Sequence, residues 1–157
     1  MAHRIEFDIE DRIVLLSFVD IVTEDSILAG ISDVQDFLRA NPAEGTILDF
    51  SGIEEFRVPA AFFRNHVNSR RKLVAPDKPR IVVAPQTVVY GMVKVLQAHS
   101  EASGTGPVVV RTREEAYEFL KLDAPVFGSH PWSTWPASGA SSIDSNQPIT
   151  RPLDRNG

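Results

Sequence analysis

The chain has 157 residues, a formal net charge of −5 and no cysteine, with 43% hydrophobic and 24% charged residues. That length favours one domain with a tail, large enough to bury about two-thirds of its unfolded surface without a disulfide or metal staple. Lack of cysteine excludes disulfides, thiolate metal sites and thiol catalysis. The opening MAHRIEFDIEDR has no apolar core of signal-peptide length, and no apolar run approaches the roughly 20 residues of a membrane span, so a cytoplasmic protein with no membrane span is expected.

Ile5, Phe7 and Ile9 alternate with Glu6 and Asp8, the pattern of a strand with one wet face. Glu10-Asp11-Arg12 then reads as a turn and Ile13–Leu16 as a more buried strand, so the chain opens with a hairpin. Thr23 is a good helix N-cap, with Glu24 and Asp25 at the positive end of the dipole. Ile27, Leu28, Ile31, Val34, Phe37 and Leu38 recur at helical spacing, and Asn41-Pro42 ends that helix. Thr46–Phe50 is a short strand followed by a Ser51-Gly52 turn. A second helix begins near Pro59, which suits a first turn, with Phe63 and Val67 on its buried stripe and Arg70, Arg71 and Lys72 in its last turn.

Arg80–Ala84 is a dense apolar strand. Val89, Met92, Val93 and Leu96 follow at helical spacing, and Gly91 inside that helix predicts close packing against the sheet. Pro107–Val110 is the last strand. Thr112-Arg113-Glu114-Glu115 is a capping box opening a final helix, with Ala116, Phe119 and Leu120 facing inward. From Asp123 onward Ser, Pro, Gly and Asn dominate and no period persists. Residues 1–122 are therefore assigned to the domain and 123–157 to a disordered tail. The tail holds both tryptophans, in His130-Pro131-Trp132-Ser133-Thr134-Trp135-Pro136; this is either a docking motif or a segment that folds back on the domain. The order β-β-α-β-α-β-α-β-α predicts an α/β fold: about five strands in a mixed sheet, an opening antiparallel hairpin and then mostly parallel strands, with about four helices.

Charge is unevenly spread. Residues 1–56 carry three basic and thirteen acidic side chains, whereas residues 57–100 carry eight basic and one acidic. The basic segment is either an anion-binding face or one that neutralises its acidic neighbours. It lacks the aromatic interleaving of a nucleic-acid surface, and no nucleic-acid partner is expected.

The element order, with Ile47-Leu48-Asp49-Phe50-Ser51-Gly52-Ile53 as a strand and turn, and Arg80–Pro85 and Pro107–Thr112 as the last two strands, resembles the STAS domain of SpoIIAA-type anti-sigma-factor antagonists and of some anion transporters. The run from Val82-Ala84-Pro85 to Tyr90-Gly91-Met92 is similar to a group of small bacterial SpoIIAA-like proteins. The resemblance covers roughly residues 3–122 and none of the tail. It implies a regulatory, protein-interaction domain without chemistry of its own. In the antagonists a serine shortly beyond the strand aspartate is phosphorylated by a partner kinase. Here that stretch holds Arg57, Val58, Pro59 and Ala60, without a hydroxyl, so the phosphoserine switch does not carry over.

Asp49 ends a central strand, where open α/β sheets bind ligands, and its plainer role is to hydrogen-bond the Ser51-Gly52 turn. Stepping about 100° per residue along the second helix, Arg70 and His66 border the apolar stripe, and Arg64 and Arg71 fall on the far face. Arg70 there can receive an anion or a carboxylate such as Asp49, or simply lay its stem on apolar surface. Glu54 and Glu55 are read as solvated loop carboxylates. His3 and His130 fall in segments expected to be mobile, and His66 and His99 lack metal-ligand spacing.

No Gly-x-Ser-x-Gly elbow, phosphate loop or metal motif is present, and no catalytic residue, metal or cofactor is expected. The expected function is a non-enzymatic interaction domain for an unknown protein partner. Its binding residues are Asp49, Ser51, Arg57, Arg64, Arg70 and Arg71. The alternative is a carrier or sensor of a small amphipathic or anionic ligand, a lipid or nucleotide.

Overall fold

Alternation in the first residues does produce a hairpin. In the computed structural model, which describes residues 2–62, 78–100 and 107–129, β1 (Ala2–Asp8) pairs antiparallel with β2 (Ile13–Thr23). Asp8 organises the turn between them: its Oδ1 accepts from the Asp11 amide at 2.8 Å and its carbonyl from the Arg12 amide at 2.7 Å. β2 then runs parallel to β3 (Gly45–Arg57), β3 to β4 (Arg80–Val83) and β4 to β5 (Val108–Val110). β6 (Gly128–Ser129) is antiparallel to the outer side of β1. The sheet order is β5-β4-β3-β2-β1-β6. This is the expected α/β mixed sheet, with β6 added to the five anticipated strands.

The helices follow from their caps. α1 (Glu24–Ala40) opens on Thr23, whose Oγ1 accepts from the Ser26 amide at 3.2 Å while Ser26 Oγ accepts from the Thr23 amide at 3.0 Å. The chain is helical at residues 60–62, where the second helix is expected; the rest of that segment, with Phe63, Arg64, His66, Val67, Arg70, Arg71 and Lys72, lies outside the described residues. α2 (Thr87–Ser100) follows β4. α3 (Arg113–Leu120) carries the anticipated capping box, Thr112 Oγ1 accepting from the Glu115 amide and Glu115 Oε1 from the Thr112 amide, both at 3.1 Å.

Strand periodicity sorts the core into two layers. On one face Ile5, Val14, Leu16, Phe18, Phe50 and Val82 pack under α1 (Ile27, Val34, Phe37) and α2 (Val89, Val93). Phe18 and Phe50 stack there, with ring centroids 5.1 Å apart. On the other face Ile13, Leu15, Ile47, Ile81 and Val83 pack under Ala116 of α3, with Tyr117, Leu120, Leu122 and Phe127 around them.

Several local expectations are corrected. Ser51-Gly52 is not a turn: β3 continues to Arg57 through two register shifts against β2, each giving β3 one residue more than its partner. A side chain on Gly52 would meet the Phe18 carbonyl oxygen and Val19 Cγ1, each at 3.3 Å, which is why the close approach carries glycine. Gly91 does not pack on the sheet; it faces outward with open space around it. Phe119 is half exposed rather than inward, and Tyr117 takes the inward place. Ile9 is 82% exposed because β1 ends one residue earlier, in the turn. His3 is not mobile but buried in β1, its Nε2 lying 2.7 Å from Asp33 Oδ2 of α1.

The tail assignment also shifts. Residues 123–129 return to the sheet: the Val126 amide donates to Asp8 Oδ2 at 2.8 Å, Phe127 packs near Tyr117, and β6 pairs with β1. Ordered structure thus extends beyond Leu122, and residues 130–157 lie outside the described part.

Candidate functional site

At one register a polar row crosses the α3 face above its apolar core. Arg4 of β1 opposes Ser17 of β2, Ser17 opposes Asp49 of β3, and Asp49 opposes Val83, the last residue of β4. Period-two alternation puts Asp49 above Ile47 and Ser17 above Leu15, so both polar groups cap the apolar columns beneath them. Asp49 is 1% exposed. Its Oδ1 accepts from the Ser51 amide at 2.8 Å, within the first bulge. Its Oδ2 accepts from Arg113 Nε at 2.5 Å. Arg113 Nη2 also lies 3.4 Å from Ser17 Oγ.

Arg113 is the first residue of α3, placed over the sheet by the Thr112 cap. Burial works against its charge, but the Asp49 carboxylate and its hydrogen bond, with Tyr117 adding, outweigh that and raise its pKa above the ordinary arginine value. Asp49 in turn sits at the positive end of α3. Both carboxylate oxygens therefore have donors inside the fold. The plainer role anticipated for Asp49, bonding the Ser51 backbone, is present, although in a bulge. The arginine that reaches Asp49 among the described residues is Arg113; Arg70, the partner expected from the sequence, lies outside them. The available signal was positional: Arg113 follows a helix cap directly after a strand, and such residues stand over the carboxyl ends of parallel strands.

The remaining candidates divide in two. Ser51 and Arg57 lie on β3, both exposed and beyond the last β3–β4 pair, Asp49↔Val83. Arg57 donates to both Glu55 carboxylate oxygens, at 2.7 and 2.8 Å. That hydrogen bonding holds the Glu55 carboxyl below its ordinary value. Glu54 and Glu55 are exposed as read, although on a strand rather than a loop. Arg64, Arg70 and Arg71 lie outside the described residues.

Beside this end of the sheet, Gln86 Nε2 donates to the Phe50 carbonyl at 3.0 Å, just past the end of β4. The Arg111 guanidinium lies 4.0 Å from the centroid of the Tyr90 ring. Among the described residues no helix is long and apolar enough to cross a membrane.

No protein-family model and no curated protein sequence matches the chain. The chain is similar to a solved structure, that of the anti-sigma factor antagonist SpoIIAA in its unphosphorylated form. The match has a TM-score of 0.52 and 16% sequence identity, and it covers 76% of this chain and 98% of that one. The likeness establishes a shared fold, the STAS-type mixed sheet that the order of elements implied.

Proposed function

We propose that this protein is a non-enzymatic regulatory domain of STAS type that acts by binding another protein through the carboxyl end of its sheet. The observation that carries this reading is the overhang of β3. β4 pairs with β3 only from Thr46 to Asp49, and β3 continues to Arg57 with Ser51, Gly52, Glu54, Glu55 and Arg57 exposed. The overhang presents exposed side chains of both charge signs, Glu54, Glu55 and Arg57, a surface suited to contact. The buried carboxylate beneath it is held by Arg113 and the Ser51 amide, so it is engaged in structure rather than poised for proton transfer. SpoIIAA is described as an anti-sigma factor antagonist, and the shared fold supports a regulatory role of the same general kind. Control by phosphorylation at the start of the second helix is not part of the proposal, because Val58-Pro59-Ala60 carries no hydroxyl.

The contact surface joins Ser51 and Arg57 to the basic positions Arg64, Arg70 and Arg71. Charge reversal by Arg64→Glu and Arg71→Glu together should lose the partner recovered by the wild-type chain from its native host, with an unchanged circular dichroism spectrum. Equal recovery by both folded proteins would overturn the assignment of this surface.

A further inference from the structure

We propose that the outward face of α2 is a second protein-contact surface, apart from the β3 overhang, which takes an apolar helix of a partner bordered by carboxylates. Stepping about 100° per residue from Gly91, the side chains of Thr87, Val88, Lys94, Val95 and Ala98 fall within about 60° of it, opposite the buried Val89 and Val93. All of them, Gly91 included, are exposed, Val88 at 63% and Val95 at 56%.

The shape suits a helix. Val88 and Val95 stand one turn to either side of Gly91, where an added Cβ would meet nothing within 4 Å. A side chain of a second helix can enter that depression, ridge into groove, and the two backbones then come close. A strand has less to gain beside it. β5, the edge of the described sheet next to α2, is only three residues long, and the Arg111 amide just past it already donates to Glu115 Oε1 at 2.8 Å.

Charge selects the occupant. The described residues 78–100 and 107–113 include Lys78, Arg80, Lys94, Arg111 and Arg113 and no acidic side chain. Lys78 and Arg113 are paired with Glu44 and Asp49. Lys94 and Arg111 instead lie 6.0 and 4.0 Å from the centroid of the Tyr90 ring, and among the described residues no carboxylate pairs with either. On the helix, Tyr90 and Lys94 lie to one side of Gly91 and Val88 and Val95 to the other. An apolar seam with cations along one border fits a helix that carries Asp or Glu beside its own apolar seam. A second copy meeting this face symmetrically brings the same cations from both sides and a carboxylate to neither.

The test uses the full chain and two synthetic amphipathic helical peptides that share one leucine stripe, bordered in one by glutamates and in the other by lysines. Binding is followed by fluorescence anisotropy of the labelled peptide. The glutamate peptide should bind several-fold more tightly, against the net charge of −5, which alone favours the lysine peptide. Val88→Ser with Val95→Ser should weaken that binding several-fold. Lys94→Glu with Arg111→Gln should remove the preference, both proteins keeping the wild-type circular dichroism spectrum. Equal or reversed preference in the wild-type chain, or binding indifferent to the valines, overturns the proposal. A chain that sediments as a dimer until the valines are replaced also overturns it and assigns the face to a second copy. Tryptophan emission, which comes only from Trp132 and Trp135, should be unmoved by the valine replacement; a shift overturns the proposal and assigns the face to the chain's own end.

Discussion

Asp49 keeps a carboxylate almost wholly out of water, which is tolerable only because Arg113 and the Ser51 amide replace the lost hydration. Removing the guanidinium leaves that charge with one neutral donor. Breaking a buried ion pair from one side costs several kcal/mol, but the Arg113 side chain is 36% exposed and water will reach part of the vacated volume. Arg113→Met is therefore expected to lower the unfolding free energy by about 2 kcal/mol in urea titrations. Asp49→Asn keeps an acceptor for the Ser51 amide while removing the charge. In the Arg113→Met background it should recover much of the loss, because the penalty lies in the uncompensated carboxylate. Additive losses in the double variant would contradict this account and assign Arg113 a packing role.

At the scale of elements, two helical glycines that look alike in sequence have opposite surroundings. Gly30 of α1 faces the sheet: an added Cβ would lie 2.9 Å from Phe18 Cζ, 3.0 Å from Cε1 and 3.3 Å from Leu16 Cδ2. Phe18 cannot readily yield, since it is buried and stacked on Phe50. Gly91 of α2 has nothing within 4 Å of its added Cβ. Gly30→Ala should therefore destabilise by about 1–2 kcal/mol, overpacking exceeding the gain in helix propensity. Gly91→Ala should stabilise by about 0.5–1 kcal/mol. Thermal melts of the two single variants check the pair, and a common sign for both shifts would refute the packing argument. The same contrast explains why Gly91 misleads in sequence: a glycine inside a helix signals a reason for its presence only when a neighbour occupies the space.

Across the whole molecule, what is legible in the sequence is what depends on local chemistry. Thr23 and Thr112 announce their helices through capping patterns, and period-two alternation announces β1 and the mixed sheet. What is not legible depends on partners distant in the chain. Asp49 and Arg113 are 64 residues apart, so nothing near either names the other. The continuation of β3 through Ser51-Gly52 rests on bulged pairing with β2, which residue propensities do not encode. The return of the chain to the sheet after Leu122 is concealed in the same way. Composition changes at Asp123, yet Val126 and Phe127 find their places only once Asp8 and Tyr117 have been assembled. The domain boundary is therefore open to a direct comparison of two truncations. Ending the chain after Leu122 removes Phe127 from the α3-side core and leaves the buried Asp8 Oδ2 without the Val126 donor. Chemical denaturation should show that protein to be about 2–3 kcal/mol less stable than one ending after Ser129, from lost apolar burial plus one charge-assisted hydrogen bond. Equal stabilities would mean that residues 123–129 lie on the domain without supporting it. A loss specific to the shorter chain carries the structural boundary past Leu122.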